Sequence, residues 1–230
     1  MSSLPWLNET DFEFPDPQSA LVEPNGLLAA GGSLEPACLL EAYRQGIFPW
    51  FEEGQPILWW TPDPRMVQFP GELHIGRSLA RAIRKSDYRL SSDEAFRDVI
   101  MACAGKRAYS DETWITPEMI SAYCRLHALG AAHSIEVWEE STLVGGLYGV
   151  AMGDIFFGES MFSHRDNASK TAFVWLVQKL DALGYRLLDC QVSSPLLASL
   201  GAREIPRTEF MTYLPPSTEY GRNKAHWPLQ

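Results

Sequence analysis

Three short stretches in the C-terminal half constrain the fold most. They are Phe156-Phe157-Gly158-Glu159-Ser160-Met161-Phe162-Ser163, Asp166-Asn167-Ala168-Ser169-Lys170-Thr171 and Leu188-Asp189-Cys190-Gln191. The first is an apolar run carrying one carboxylate. The second opens a helix. The third is an apolar run with Asp and Gln two positions apart. Residues i and i+2 of a strand share a face, so Asp189 and Gln191 are expected side by side, with Glu159 on a neighbouring strand. Polar groups inside apolar strands are costly unless partnered or used. Internal hydrogen bonding would explain them plainly; a reactive site explains the trio better.

The 230 residues suit one large or two small domains with a substantial core. No apolar run is long enough to span a bilayer. The start, Met1-Ser2-Ser3-Leu4-Pro5-Trp6, lacks the basic and apolar segments of a signal peptide. Cys38, Cys103, Cys124 and Cys190 form no CxxC pair, which argues against a zinc site or a disulfide scaffold and fits a reducing cytoplasm. A net charge of -10 speaks against nucleic-acid binding by the whole surface.

Periodicity and punctuation give the element order. A helix is expected over about 35–45, with Ser33 as N-cap, Pro36 in the first turn and Gly46 closing it. Phe48-Pro49-Trp50-Phe51 and Leu58-Trp59-Trp60 follow, and Thr61-Pro62-Asp63-Pro64 reads as a domain boundary. Residues 1–62 then form a small N-terminal domain and 63–230 a larger one, its tail loose from about 215. Arg77–Lys85 is a basic helix, Ser92 caps another through about Ala104, and Thr116-Pro117 opens a third that ends at Gly130. Extended runs at 133–139, 143–152 and 155–163 suggest a meander. A helix over 168–183 buries Phe173, Leu176, Val177 and Leu180 on one face. Strand 186–192, a short helix at 196–200 and a last strand near 210–214 complete an α/β (α+β) arrangement around a mixed sheet.

Set in order, Gly46-Ile47-Phe48-Pro49-Trp50-Phe51, Leu58-Trp59-Trp60-Thr61-Pro62-Asp63-Pro64-Arg65, Thr113-Trp114-Ile115-Thr116, His133-Ser134-Ile135-Glu136-Val137-Trp138, Phe157 to Ser163 and Asp189-Cys190-Gln191 closely resemble the bacterial leucyl/phenylalanyl-tRNA–protein transferase family over about residues 20 to 212. The resemblance implies a small N-terminal domain and a C-terminal domain of acetyltransferase-like (GNAT) fold with a mixed, mostly antiparallel sheet. It implies transfer of Leu or Phe, with Met a further donor, from aminoacyl-tRNA to the N-terminal amine of proteins that begin with Arg or Lys. Such tagging marks the acceptor for degradation by the N-degron route. No cofactor, metal or membrane partner is expected, and the chain is read as a monomer.

The residues suit that chemistry. The tRNA ester is already activated, and aligning an amine with it supplies roughly 7–11 kcal/mol. An N-terminal amine with a pKa near 7.7–8 is partly neutral at pH 7, so no strong base is required. Gln191 can accept an amine N–H through its carbonyl oxygen. Asp189 can orient that amide and favour positive charge on nitrogen, or, as the alternative, act as a base. Glu159 can hold the acceptor's cationic side chain or its ammonium, or else pair with Arg or Lys inside the fold. Leu147, Met161, Phe173 and Leu176 are candidates for the donor side-chain pocket, although such residues are usually core. The resemblance places Trp50 and Trp114 at the terminal adenosine of tRNA, where stacking is worth roughly 1–3 kcal/mol per base; Trp59 and Trp60 read as packing. Arg77, Arg81, Arg84 and Lys85 form a positive stripe on one side of a helix, flanked by His74 and Arg89, and the resemblance places tRNA phosphate contacts there.

Two rival readings stand beside this one. An acetyl-CoA enzyme of GNAT fold would carry a glycine-containing phosphate loop, and Ser163-His164-Arg165-Asp166-Asn167-Ala168 has no glycine. A non-catalytic tRNA-binding module would leave Asp189, Gln191 and Glu159 without a role. One departure from the family pattern is Ser194, where some relatives carry an Asn nearby.

Overall fold

The computed structural model describes residues 4–10, 13–105 and 114–215. Thr113 and the tail beyond Pro215 lie outside them, as do Met1 to Ser3. The first sheet is small. It contains β1 (Trp6–Leu7) and β2 (Leu27–Gly31), followed after α1 (Pro36–Arg44) by β3 (Phe48–Pro49) and β4 (Leu58–Trp60), in the order β1-β2-β4-β3. Trp59 is fully buried there and donates its indole N–H to the Gly31 carbonyl at 2.8 Å. Gly46 ends α1 at φ +72, with its N–H on the Tyr43 carbonyl. Ser33 does not cap the helix directly: Glu35 holds the N-cap position without a side-chain bond, and the Ser33 hydroxyl accepts the Glu35 N–H two residues earlier in the approach.

The second sheet has seven strands. In chain order its elements are β5 (Arg65–Gln68), α2 (Arg77–Lys85), β6 (Arg89–Ser92), α3 (Phe96–Ala104), α4 (Pro117–Ala128), β7 (Ala132–Glu139), β8 (Thr142–Met152), β9 (Ile155–Ser163), α5 (Ala168–Ala182), β10 (Leu187–Gln191), α6 (Pro195–Ala198), β11 (Arg203–Ile205) and α7 (Arg207–Met211). The strand order is β11-β5-β10-β9-β8-β7-β6. Every pair is antiparallel except β9 with β10. Parallel neighbours need a long crossover, and α5 supplies it. Its Phe173, Leu176, Val177 and Leu180 are all buried, as the periodicity predicts. Thr116 caps α4 by accepting the Met119 N–H at 3.3 Å, with Pro117 at the first helical position.

Two expectations are corrected. The residues near 210–214 form no strand. Pro206 leads into α7 instead, which buries Phe210, and the edge strand is Arg203–Ile205. Ser92 ends strand β6, where its hydroxyl bonds the Ser134 carbonyl at 3.0 Å; α3 begins four residues later, behind Ala95.

The first sheet ends at Trp60 and the second starts at Arg65. Their cores are continuous nonetheless. Tyr43, Phe48 and Trp59 belong to the same apolar cluster as Tyr123, Tyr148 and Phe157. This continuity sets the N-terminal sheet against the middle of the large one, where β9 and β10 lie.

Candidate active site

Strands β9 and β10 pair only as far as Phe157 with Asp189. Beyond that point each strand is irregular. On β9 the pairing with β8 steps from Gly158 to Ser160, so Glu159 is the extra residue of a bulge. On β10 the pairing with β5 steps from Asp189 to Gln191, leaving Cys190 extra. Bulges re-aim side chains and end pairing. Here two of them sit side by side, and both strands line a cavity of about 620 Å³, β9 through Phe156 and Gly158 to Ser163, β10 through Leu188, Cys190 and Gln191, with Val192 just beyond it.

The cavity gathers most of the residues singled out in the sequence. Leu147, Met161, Phe173 and Leu176 form apolar wall, Trp50 and Trp114 line the cavity from the N-terminal sheet and the approach to α4, and Glu159 and Gln191 supply polar groups. Trp50 is 43% exposed and packs its ring 5.7 Å from that of Trp60, whose indole N–H bonds the Trp50 carbonyl at 2.6 Å. Ser194 also lines the cavity, and its hydroxyl caps α6 by accepting the Leu197 N–H at 3.4 Å. The basic residues lie elsewhere. Arg77, Arg81, Arg84 and Lys85 are exposed along α2, while Leu79 and Ile83 of the same helix pack on the core. None of the four makes an ion pair with another described residue. Flanking Arg89 is engaged, with its guanidinium on Glu94 at 2.8 Å and over the Trp138 ring at 4.9 Å.

The polar centre is a chain of hydrogen bonds. The Gln191 carboxamide Nε2 donates to Glu159 Oε1 at 2.8 Å. The Tyr123 hydroxyl donates to Glu159 Oε2 at 2.9 Å, and Tyr43 bonds Tyr123 in turn. Both tyrosines are fully buried. Glu159 therefore has no Arg or Lys partner among the described residues, which removes the internal ion pair as an explanation for it. Burial pushes its carboxyl up to about 7, helped by the charge of Asp189, while the bonds from the tyrosines and Gln191 pull it back.

Asp189 is placed differently from the expectation. It does not line the cavity. Its carboxylate is fully buried and takes a two-pronged bond from Arg65, Nε to Oδ1 at 2.8 Å and Nη2 to Oδ2 at 2.7 Å. Oδ1 also accepts the backbone N–H of Gln191 at 2.9 Å. Gln191 has φ +64, and this left-handed residue breaks the strand alternation that would set the two side chains on one face. Asp189 thus lies behind the cavity wall, against the backbone N–H of Gln191 and outside the space that Glu159 and Gln191 line. Sequence reasoning missed Arg65, Tyr43 and Tyr123. The tyrosines carried one signal: a tyrosine on the buried face of a helix needs a partner for its hydroxyl.

Family models named for leucyl/phenylalanyl-tRNA protein transferase match residues 67–215, and those for its N-terminal domain match residues 32–63. The chain belongs to the leucyl/phenylalanyl-tRNA–protein transferase family. It is 59% identical to the family protein of Pseudomonas aeruginosa over 92% of this chain and 93% of that one. To that of Stutzerimonas stutzeri it is 58% identical, over 90% and 92%, and to that of Cellvibrio japonicus 55%, over 97% and 96%. It is accordingly an aminoacyltransferase. A slighter likeness, with TM-score 0.39 and 11% identity over 74% of this chain and 60% of the other, is to a GCN5-related N-acetyltransferase from Kribbella flavida. No helix among the described residues is long and apolar enough to cross a membrane.

Proposed function

We propose that this cytoplasmic enzyme takes Leu or Phe from aminoacyl-tRNA and joins it to the N-terminal amine of proteins beginning with Arg or Lys, so marking them for N-degron degradation. The observation that supports this most is the composition of one cavity. An apolar wall, two indoles and a carboxylate–carboxamide pair meet in a space large enough for an aminoacyl group and its adenosine. Leu147, Met161, Phe173 and Leu176 take the donor side chain. Trp50 and Trp114 take the adenine. Gln191 Oε1 accepts an N–H of the attacking amine while Glu159 fixes the carboxamide. The amine attacks the ester carbon, the ester C–O bond breaks, and the ribose oxygen leaves with a proton. Asp189 does not touch the amine in this scheme; it sets the position of Gln191. The test is direct. Labelled Leu on tRNA should pass to an Arg-starting peptide in the presence of EDTA and without ATP. Absence of an N-terminal product would refute the reading.

The indoles give a second expectation. Trp50→Ala and Trp114→Ala should each weaken puromycin, an aminoacyl-adenosine analogue, by about 1–3 kcal/mol. Inhibition constants equal to that of the unaltered enzyme would return both residues to packing.

The stripe on α2 fits tRNA phosphates at a distance from the cavity. Arg81→Ala/Arg84→Ala should lower the slope of log affinity against log salt by about 0.7–0.9 for each lost contact. KM for charged tRNA should rise, while reaction with a minimal aminoacyl-adenosine donor stays as it was, since that donor has no distant phosphates. An unchanged salt slope would show α2 to be a solvated face only.

A further inference from the structure

Arg65 is fully buried on β5 and outside the cavity lining, yet it is tied to the cavity's polar centre. Its guanidinium lies between the rings of Phe48 and Phe210, at 4.9 and 4.6 Å. Those rings come from β3 of the first sheet and from α7, and with Asp189 of β10 they make three separate parts of the chain that hold the fork. Both of its bonds to protein oxygen go to the same carboxylate, Asp189. A two-pronged guanidinium–carboxylate pair fixes the plane of the carboxylate as well as its place. That carboxylate then accepts the Gln191 N–H, two residues on, in an Asx-type turn over Cys190. Gln191 is a non-glycine residue in the left-handed region, a conformation that persists only where surroundings enforce it. Its enforced backbone carries its carboxamide to Glu159.

We propose that Arg65 is a positioning residue of this centre: its fork fixes the Asp189 carboxylate, the carboxylate captures the Gln191 N–H, and the resulting left-handed backbone aims the Gln191 carboxamide at Glu159 inside the cavity. The inference rests on the transferase reading, because Gln191 must serve turnover for Arg65 to affect it. It explains why a charged pair is kept fully buried here. Such a pair is a weak source of stability, and apolar replacements of similar volume are often as stable or more so. It also explains an arginine at this position. A lysine would neutralise Asp189 as a point charge without fixing the plane of its carboxylate.

Two variants separate orientation from folding. Arg65→Met/Asp189→Leu removes both charges together, so no unpaired charge is left buried. Arg65→Lys keeps the charge and removes the fork. Three readouts apply to each: kcat and KM with charged Leu-tRNA and an Arg-starting peptide, puromycin affinity, and the side-chain amide signals of Gln191 in protein labelled with ¹⁵N-glutamine, assigned against Gln191→Ala. In the double variant kcat should fall at least 100-fold, with KM and puromycin affinity within threefold, and the Gln191 amide signals should move to free-glutamine positions. In Arg65→Lys kcat should fall about tenfold with the same signals displaced part-way. A folded double variant whose Gln191 signals stay in place overturns the inference, whatever its activity. If the double variant does not fold, Arg65→Lys decides: wild-type signals and wild-type kcat there overturn it. Displaced signals with undiminished kcat would uphold the positioning and remove Gln191 from the chemistry, which is a failure of the transferase scheme and not of the clamp.

Discussion

Gln191→Gly is expected to give a protein that melts higher than Gln191→Ala and has lost at least 100-fold in turnover. The two effects share one origin. A glutamine at φ +64 is strained by its Cβ, and glycine is not. Both variants lose the side-chain bond to Glu159, so the strain separates them; its relief, partly offset by the greater freedom of glycine in the unfolded chain, leaves glycine a net gain over alanine of up to about 1 kcal/mol. For a chain of this length that corresponds to a rise of about 2–4 °C in melting temperature. The hydrogen bond from residue 191 N–H to Asp189 does not involve the side chain, so the turn itself is retained. In the proposed scheme turnover falls because the carboxamide that accepts from the amine is gone. A single preorganised polar contact to a transition state is commonly worth 10²–10³ in rate. Gln191→Ala is the companion experiment. It loses the same contact but keeps a Cβ at positive φ, so it should show the loss of turnover without the gain in melting temperature. Puromycin affinity should be close to that of the unaltered enzyme in both. Turnover within a few-fold of the unaltered enzyme in either variant would remove Gln191 from the centre.

The element order was legible wherever local signals were dense. Thr116-Pro117 and Gly130 bracket α4, and Gly153 separates β8 from β9, because caps and breakers act within a turn of their own position. Strand β5 was not legible. It is four residues long, follows a proline-rich corner, and is a strand only because β10 and β11 pair with it from more than 100 residues away. Arg65 was missed for the same reason, its partner being 124 positions distant. The roster of cavity residues could be read from motif and pattern, since apolar wall and indole type are written in the residues themselves. That Gln191 lines the cavity and Asp189 does not could not be read. Strand periodicity puts i and i+2 on one face, and a left-handed residue cancels that rule at the one place where the site depends on it. Glutamine has no preference for that region, so composition gave no warning. Phe210 shows the same limit at the C-terminal end. The sequence pattern put it on a last strand, whereas it lies on α7 with its ring against the Arg65 guanidinium, a contact that no pattern in residues 203–214 reveals.

Glu159→Gln is expected to change how both stability and rate depend on pH. Burial raises the folded-state pKa of Glu159 to about 7, against an ordinary value of 4.5. A carboxyl raised in the fold is favoured in its protonated form. The stability it contributes is therefore full below about 4.5 and is lost as pH rises through about 7. With Glu159 only partly shielded at the cavity wall, the loss amounts to about 1–3 kcal/mol. Glutamine cannot ionise, so the variant should be more stable than the unaltered enzyme at pH 8 and gain nothing at pH 4. The rate runs the other way. Both carboxylate oxygens accept hydrogen bonds, from Tyr123 and from Gln191, and protonation removes one acceptor. Turnover should thus rise with pH through about 7 as the carboxylate forms. The attacking amine, with its pKa near 7.7–8, must also lose a proton, so kcat/KM of the unaltered enzyme should climb more steeply than one proton requires. In Glu159→Gln only the amine's contribution is left, and the slope should fall to that of a single ionisation. The profile of kcat alone carries a further consequence. If the acceptor's cation lies against Glu159 in the ternary complex, it favours the carboxylate, and the inflection in kcat should move below that in kcat/KM. Equal inflections would place the acceptor's cation elsewhere, and a slope in Glu159→Gln as steep as in the unaltered enzyme would show that the carboxyl which titrates is not Glu159.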